Sequence, residues 1–193
     1  MNRQRTLKQY RMIDLAFFAL MLLVAEYLIV SAANRWFPAQ PYTVSVAAAI
    51  VSLVYMRWSW WGGIHALLAG LVFCFFSAAS GPQYLIYCGG NLFSLLAVVL
   101  LCRIGKEKVR TGQLALLFPL LVQFLMLLGR ALLALALGAS LAEAAGFFTT
   151  DVLSFLFTFV IIWIARRLDG IYEDQKHYLL RLQEQQKLEK GGS

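Results

Sequence analysis

Apolar residues in this chain come in long blocks divided by short polar breaks. The clearest case is Trp60–Cys102, two apolar runs joined by Ala79-Ser80-Gly81-Pro82-Gln83. A helix rising ~1.5 Å per residue needs about 20 apolar residues to cross the hydrocarbon of a bilayer, and each run is of that size. The break is too short for a domain and too polar for lipid, so the pattern predicts a transmembrane helical hairpin. Similar runs flank it. The spans expected are Met12–Ala33, the shorter Thr43–Met56, Trp60–Ala78, Pro82–Cys102, Gln113–Gly138 and Thr149–Ala165. Lipid offers no water to pair backbone N–H and C=O groups, so these runs are helices. A β-barrel would instead show short segments of alternating polarity. The expected architecture is all-α: a polytopic membrane protein with six transmembrane helices in one bundle (12–167). A basic leader (1–11) precedes it and a helical tail (168–193) follows.

Composition agrees. Of 193 residues, 61% are hydrophobic and 14% charged, against about 25% charged in ordinary soluble domains. The net charge of +7 suggests nucleic acid at first sight, but the basic residues lie between the apolar runs. Fifteen of the 17 Lys and Arg fall on the side that carries both termini; Arg35 and Arg130 are the others. The positive-inside rule then places both termini in the cytoplasm of a multi-pass protein of the cell membrane. In the tail, Leu168, Ile171, Tyr172, Tyr178, Leu179 and Leu182 recur at helical spacing between charges, which predicts an amphipathic cytoplasmic helix. Cys74, Cys88 and Cys102 form no CxxC pair and read as buried structural thiols.

No phosphate-binding loop, HExxH or GxSxG motif occurs, so neither an enzyme nor a cofactor or metal site is expected, and any ATP-driven step belongs to another subunit. The chemistry lies in polar residues inside spans, because a charge in the bilayer costs at least ~2.5 kcal/mol. Glu26 and Arg130 are placed roughly 10–12 Å below the outer boundary by helical rise. Asp151 is expected near the outer end of the sixth span, with Asn91 and Gln123 midway along theirs. These residues form either a buried structural Glu26–Arg130 pair or a substrate pocket open to the outside. In the pocket reading Arg130 offers a planar fork of donors to a carboxylate, phosphate or amide. Trp36, Tyr42, Gln83 and Tyr84 cap that pocket from the outer loops. His65 reads as a satisfied bundle residue. The small-residue stripe Gly62, Ala66, Gly70 permits close helix approach and is also a candidate docking face for another membrane subunit.

Several stretches together resemble the substrate-binding S components of energy-coupling factor transporters. They are Pro41-Tyr42-Thr43-Val44-Ser45-Val46 at the start of the second span, Met56-Arg57-Trp58 before a Gly/Ala-rich third span, and Ser80-Gly81-Pro82 before a Tyr-Leu-Ile-Tyr run ending near Gly90-Asn91. The resemblance covers about residues 12–165. It implies capture of a vitamin or related micronutrient near the outer face, and association with a membrane coupling subunit and two cytoplasmic ATPases. It also implies a small-residue docking motif in the first span. Here Ala16 and Ala19 are spaced three apart rather than the family's four, so Gly62, Ala66 and Gly70 are expected to share the docking role. The alternative is a non-transport scaffold that recruits a cytoplasmic partner through its C-terminal helix.

Overall fold

The computed structural model describes residues 7–36 and 44–191, and the described chain is helical almost throughout. Five stretches are long and apolar enough to cross a bilayer: Leu7–Trp36, Ala47–Phe76, Gly81–Ile104, Leu114–Ala136 and Leu141–Ala165. Most are interrupted. The helices are α1 (Leu7–Trp36), α2 (Ala47–Trp58), α3 (Gly62–Phe76), α4 (Gly81–Asn91), α5 (Leu95–Ile104), α6 (Lys106–Thr111), α7 (Leu114–Ala136), α8 (Leu141–Thr150), α9 (Val152–Ala165) and α10 (Gln175–Gly191).

The second and third expected spans both fall within Ala47–Phe76, where the chain reverses at Ser59 (φ 53°, ψ −122°). The contacts with α1 show the reversal. Along α2, Val46 meets Glu26 and Arg57 meets Asp14, so α2 runs antiparallel to α1. Along α3, Trp61 meets Arg11, His65 meets Leu15 and Phe76 meets Tyr27, so α3 runs parallel to it. With 12 and 15 residues, α2 and α3 are each shorter than the ~20 of a full crossing. Every residue of α2 is buried, which makes it the axis around which the other helices pack.

Small residues set the crossings. A Cβ on Gly62 would lie 2.3 Å from the Tyr55 ring, and one on Gly70 would lie 2.7 Å from the Cys88 backbone nitrogen. Ala66 is fully buried. The stripe Gly62, Ala66, Gly70 therefore packs internally against α2 and α4, and the docking role expected of it is corrected. Close approach serves this bundle's own helices, whose backbones fill the space a partner would need. On α1, by contrast, Ala16 is exposed and Ala19 half-buried.

Two further expectations change. The loop expected over Ala139–Phe148 is mostly helix α8, begun by a capping box in which Ser140 and Glu143 bond each other's backbone N–H. The last long apolar stretch thus starts at Leu141 and breaks at Asp151. Cys74 and Cys88 are buried, but Cys102 is exposed on α5.

Among the described residues, Arg35 and Arg130 lie toward one end, and Arg11, Arg57, Lys106 and Arg110 at the other. There the segment between α9 and α10 folds back under the bundle instead of leaving it. Arg57, 6% exposed, forms an ion pair with Asp14 (2.6 Å) and donates to the carbonyls of Gly170 and Ile171. Tyr172 is buried and donates its hydroxyl to Ala115 O at 3.0 Å; burial pushes that phenol above its ordinary range. Glu173 pairs with Arg110 and Arg181, and Asp174 with Lys106. Burial alone would raise the Asp174 carboxyl, but the Lys106 ammonium and the N–H groups of His177 outweigh it and hold it below the usual carboxylate range. The helix expected from Leu168 begins at Gln175, after this anchor.

Candidate functional site

Charged and polar side chains from α1, α2, α4, α7 and α9 meet inside the bundle, together with Ser45, Ser94 and Asp151 from the breaks between helices. Three of them sit at matched depth. Asn91 lies ten residues after Gly81, Asp151 ten after Leu141, and Glu26 ten before Trp36, each roughly 15 Å from the same end of the bundle. Arg130 lies six residues before Ala136, roughly 9 Å from that end by backbone rise. Asp151 is deeper than expected because Leu141–Thr150 is helix, and the added turns carry it inward.

Arg130 is the centre. A Cβ on Gly90 would lie 2.5 Å from Arg130 N, and one on Gly129 would lie 2.3 Å from Gly90 O. Only paired glycines let α4 and α7 cross so closely, and that crossing presses Arg130 against the polar face of α4. Its Nε donates to Asn91 Oδ1 at 2.9 Å, and Asn91 Nδ2 donates to Ala66 O at 3.0 Å. Its Nη1 is 3.7 Å from Asp151 Oδ2, an ion pair without a hydrogen bond. The guanidinium carbon lies 4.7 Å from the centre of the Tyr87 ring, within cation–π range. Tyr87 in turn stacks on Phe73 and meets the edge of Phe147.

The network continues on both sides. Asp151 accepts from Gln123 Nε2 (3.1 Å) and from the Ser154 hydroxyl, and Gln123 Oε1 accepts from Thr158 (2.9 Å). Ser154 Oγ accepts the backbone N–H of Ser45 at 2.9 Å. Glu26 Oε1 accepts from the Ser45 hydroxyl (2.8 Å) and from Val46 N–H (2.9 Å). On the other flank Ser94 donates to Asn91 O, and Tyr55 OH lies 2.7 Å from Ser94 Oγ.

Part of this network answers a structural need. The buried helix α2 starts inside the bundle, where its first N–H groups have no water. Ser45 and Glu26 supply acceptors there, and an acid at a helix N-terminus is favoured by the dipole. Glu26 therefore caps α2 rather than forming a direct ion pair with Arg130. Its second oxygen, Oε2, is buried and has no hydrogen-bond partner among the described residues. No comparable need accounts for Arg130. A guanidinium has five N–H donors. Among the described residues only the one on Nε reaches an acceptor within hydrogen-bond distance. Nη1 faces Asp151 as an ion pair at 3.7 Å without a hydrogen bond.

Of the residues expected at the site, Arg130, Asn91 and Asp151 come together, and Glu26 joins them through Ser45 and Ser154. Trp36 ends α1 and is 71% exposed, roughly 15 Å along the helix from Glu26. Gln83 is exposed and engaged in a capping box with Ser80. Tyr84 lines an apolar groove with Leu23, Leu71 and Phe75, away from Arg130. Tyr42 lies outside the described residues. Tyr87, Ser45, Ser154 and Thr158 were not anticipated. The signal for Tyr87 is its position four residues before Asn91, on the same helical face. His65 Nε2 lies 2.9 Å from Leu15 O in the α1–α3 contact and takes no part in the network. Among the described residues no cluster of His, Cys, Asp and Glu is arranged to hold a metal ion.

No protein-family model, curated protein or solved structure matches this chain.

Proposed function

We propose that the chain is a membrane-embedded substrate-binding subunit that takes up a micronutrient such as a vitamin and delivers it across the membrane with an ATP-driven module. The observation that carries the reading is Arg130: a guanidinium inside an apolar bundle, steadied by Asn91, Asp151 and Tyr87, whose Nη groups make no hydrogen bond among the described residues. The side chain keeps 11% exposure, so the guanidinium can be reached from outside the bundle, as a binding site requires. The guanidinium fork suits an anionic or amide-bearing ligand, and the Tyr87–Phe73–Phe147 wall suits a flat apolar portion beside it.

In this reading the bundle makes six passes, with α2 and α3 as two short ones, and the basic end faces the cytoplasm. The ligand enters from the opposite, outer end, beside the turns before α4 and α8. The sequence holds no phosphate-binding loop, so two cytoplasmic ATPases and a membrane coupling subunit supply the energy. The lipid-facing side of α1 around Ala16, Ala19 and Leu20 is the docking face that remains once Gly62, Ala66 and Gly70 are assigned to internal packing.

The test is a mild-detergent pull-down of the tagged full chain from its native cells, read by mass spectrometry. Two ATPases and one membrane coupling subunit are expected. Their absence, together with a soluble partner that is lost on deletion of residues 175–193, would replace transport with the scaffold reading.

A further inference from the structure

Near the basic end, α5, α6 and α7 enclose an open groove of about 450 Å³ whose walls are almost wholly apolar, among them Leu100, Ile104, Val109, Leu117, Leu121 and Phe124. On α7 the lining runs from Leu114 to Phe124, roughly 15 Å of helix. That is about the depth of one leaflet of a ~30 Å hydrocarbon core. Helix α5 ends at Ile104, and the chain turns at Gly105 (φ 92°) into α6.

The charges at this mouth are not all used. Of the four cations between 103 and 110, Lys106 pairs with Asp174, and Arg110 with Glu107 and Glu173. Arg103 and Lys108 are exposed and have no carboxylate within 4 Å among the described residues. Arg103 lies three residues after Leu100, so it extends the α5 lining beyond the apolar zone. Lys108 precedes Val109, which lines the groove.

We propose that this groove binds one acidic phospholipid. An acyl chain lies along α7 between Leu114 and Phe124, and the headgroup phosphate is held by Arg103 and Lys108. The site rests on the membrane setting alone and is independent of ligand binding at Arg130. An apolar slot one leaflet deep fits a chain, and two unpaired cations at its polar end fit a phosphate whose headgroup carries no compensating ammonium. A partner helix would fill the slot equally well but would leave both cations unmatched.

The test is native mass spectrometry of the full chain, delipidated in detergent and titrated with phosphatidylglycerol or with phosphatidylcholine of the same chains. One phosphatidylglycerol is expected to be retained in preference to phosphatidylcholine. Replacing both cations (Arg103→Ala with Lys108→Ala) should cut that preference roughly 25-fold, at about fivefold per cation. Leu117→Trp, which fills the slot from a half-exposed position, should weaken retention of both lipids. Excess glycerol phosphate, the headgroup without chains, should displace nothing. Equal retention of the two lipids by the unaltered chain would overturn the proposal, as would an undiminished preference in the double variant. Displacement by glycerol phosphate would reassign the cations to a free phosphate.

Discussion

Replacing Arg57 with alanine is expected to lower the stability of the bundle by about 3–5 kcal/mol, the cost of leaving one member of a buried ion pair alone. Both partners are largely enclosed, at 6% and 12% exposure for Arg57 and Asp14, so solvent screens little of the interaction. The loss has two parts. Among the described residues Asp14 would keep the indole N–H of Trp58 as its hydrogen-bond donor, while the Ile171 carbonyl would lose Arg57 and the Gly170 carbonyl would be left with Gln175 Nε2. The second part predicts a local change, in which the segment between α9 and α10 comes free. Chemical unfolding in detergent reads the first effect, and faster tryptic cleavage after Arg167 or Lys176 reads the second. Pairing Arg57→Met with Asp14→Leu should recover the ion-pair cost but leave cleavage fast, because Arg57's bonds to the segment at Gly170 and Ile171 stay missing. Unchanged unfolding in Arg57→Ala would mean that this end of the bundle does not depend on the cluster.

Gly129→Val is the second large effect. Its Cβ alone would sit 2.3 Å from Gly90 O and 2.7 Å from the Phe93 ring, so α4 and α7 must separate. Overpacking of this kind costs about 1–3 kcal/mol, and the branched side chain places valine toward the upper end. The separation also acts on the site. Arg130 follows Gly129 directly, and its 2.9 Å bond to Asn91 cannot survive a displacement of about 1 Å with useful geometry. Gly146 provides the contrast. It is helical, and an added Cβ there meets nothing within 4 Å, so Gly146→Ala should gain up to ~1 kcal/mol from helix propensity. If thermal unfolding placed the two substitutions together, the close α4–α7 crossing would not be what holds the bundle.

The helices were legible because each long one is a nearly unbroken apolar run, and the turn at Ala79–Gln83 was legible from its Pro and Gly. The misreading at Ala139–Phe148 came from starting the last span at Thr149. Ser140 and Glu143 are a capping box, a local signal present in the sequence, and recognising it moves Asp151 about 12 Å inward. The stripe Gly62, Ala66, Gly70 showed where helices could touch but not which helix would come. The turn at Arg57-Trp58-Ser59 was expected between the spans Thr43–Met56 and Trp60–Ala78, but which helices pack across it was not. Likewise Asp14 and Arg57 sit at the edges of apolar runs, where a charge ordinarily marks topology; their pairing exists only once α2 lies antiparallel to α1. At the site, intramembrane polarity marked Glu26, Asn91 and Arg130. It could not separate Tyr84 from Tyr87, which differ in what packs beside them rather than in composition.

The central claim, that Arg130 holds a ligand, is tested most directly by what the protein carries. Full-length chain and Arg130→Gln are purified in mild detergent from the native cells and denatured, and the released small molecules are identified by mass spectrometry. A single anionic or amide-bearing small molecule is expected from the unaltered protein, near one per chain, and at least tenfold less from a folded Arg130→Gln. An equal yield from both proteins, or none from either, would contradict the account and leave Arg130 as a packing residue.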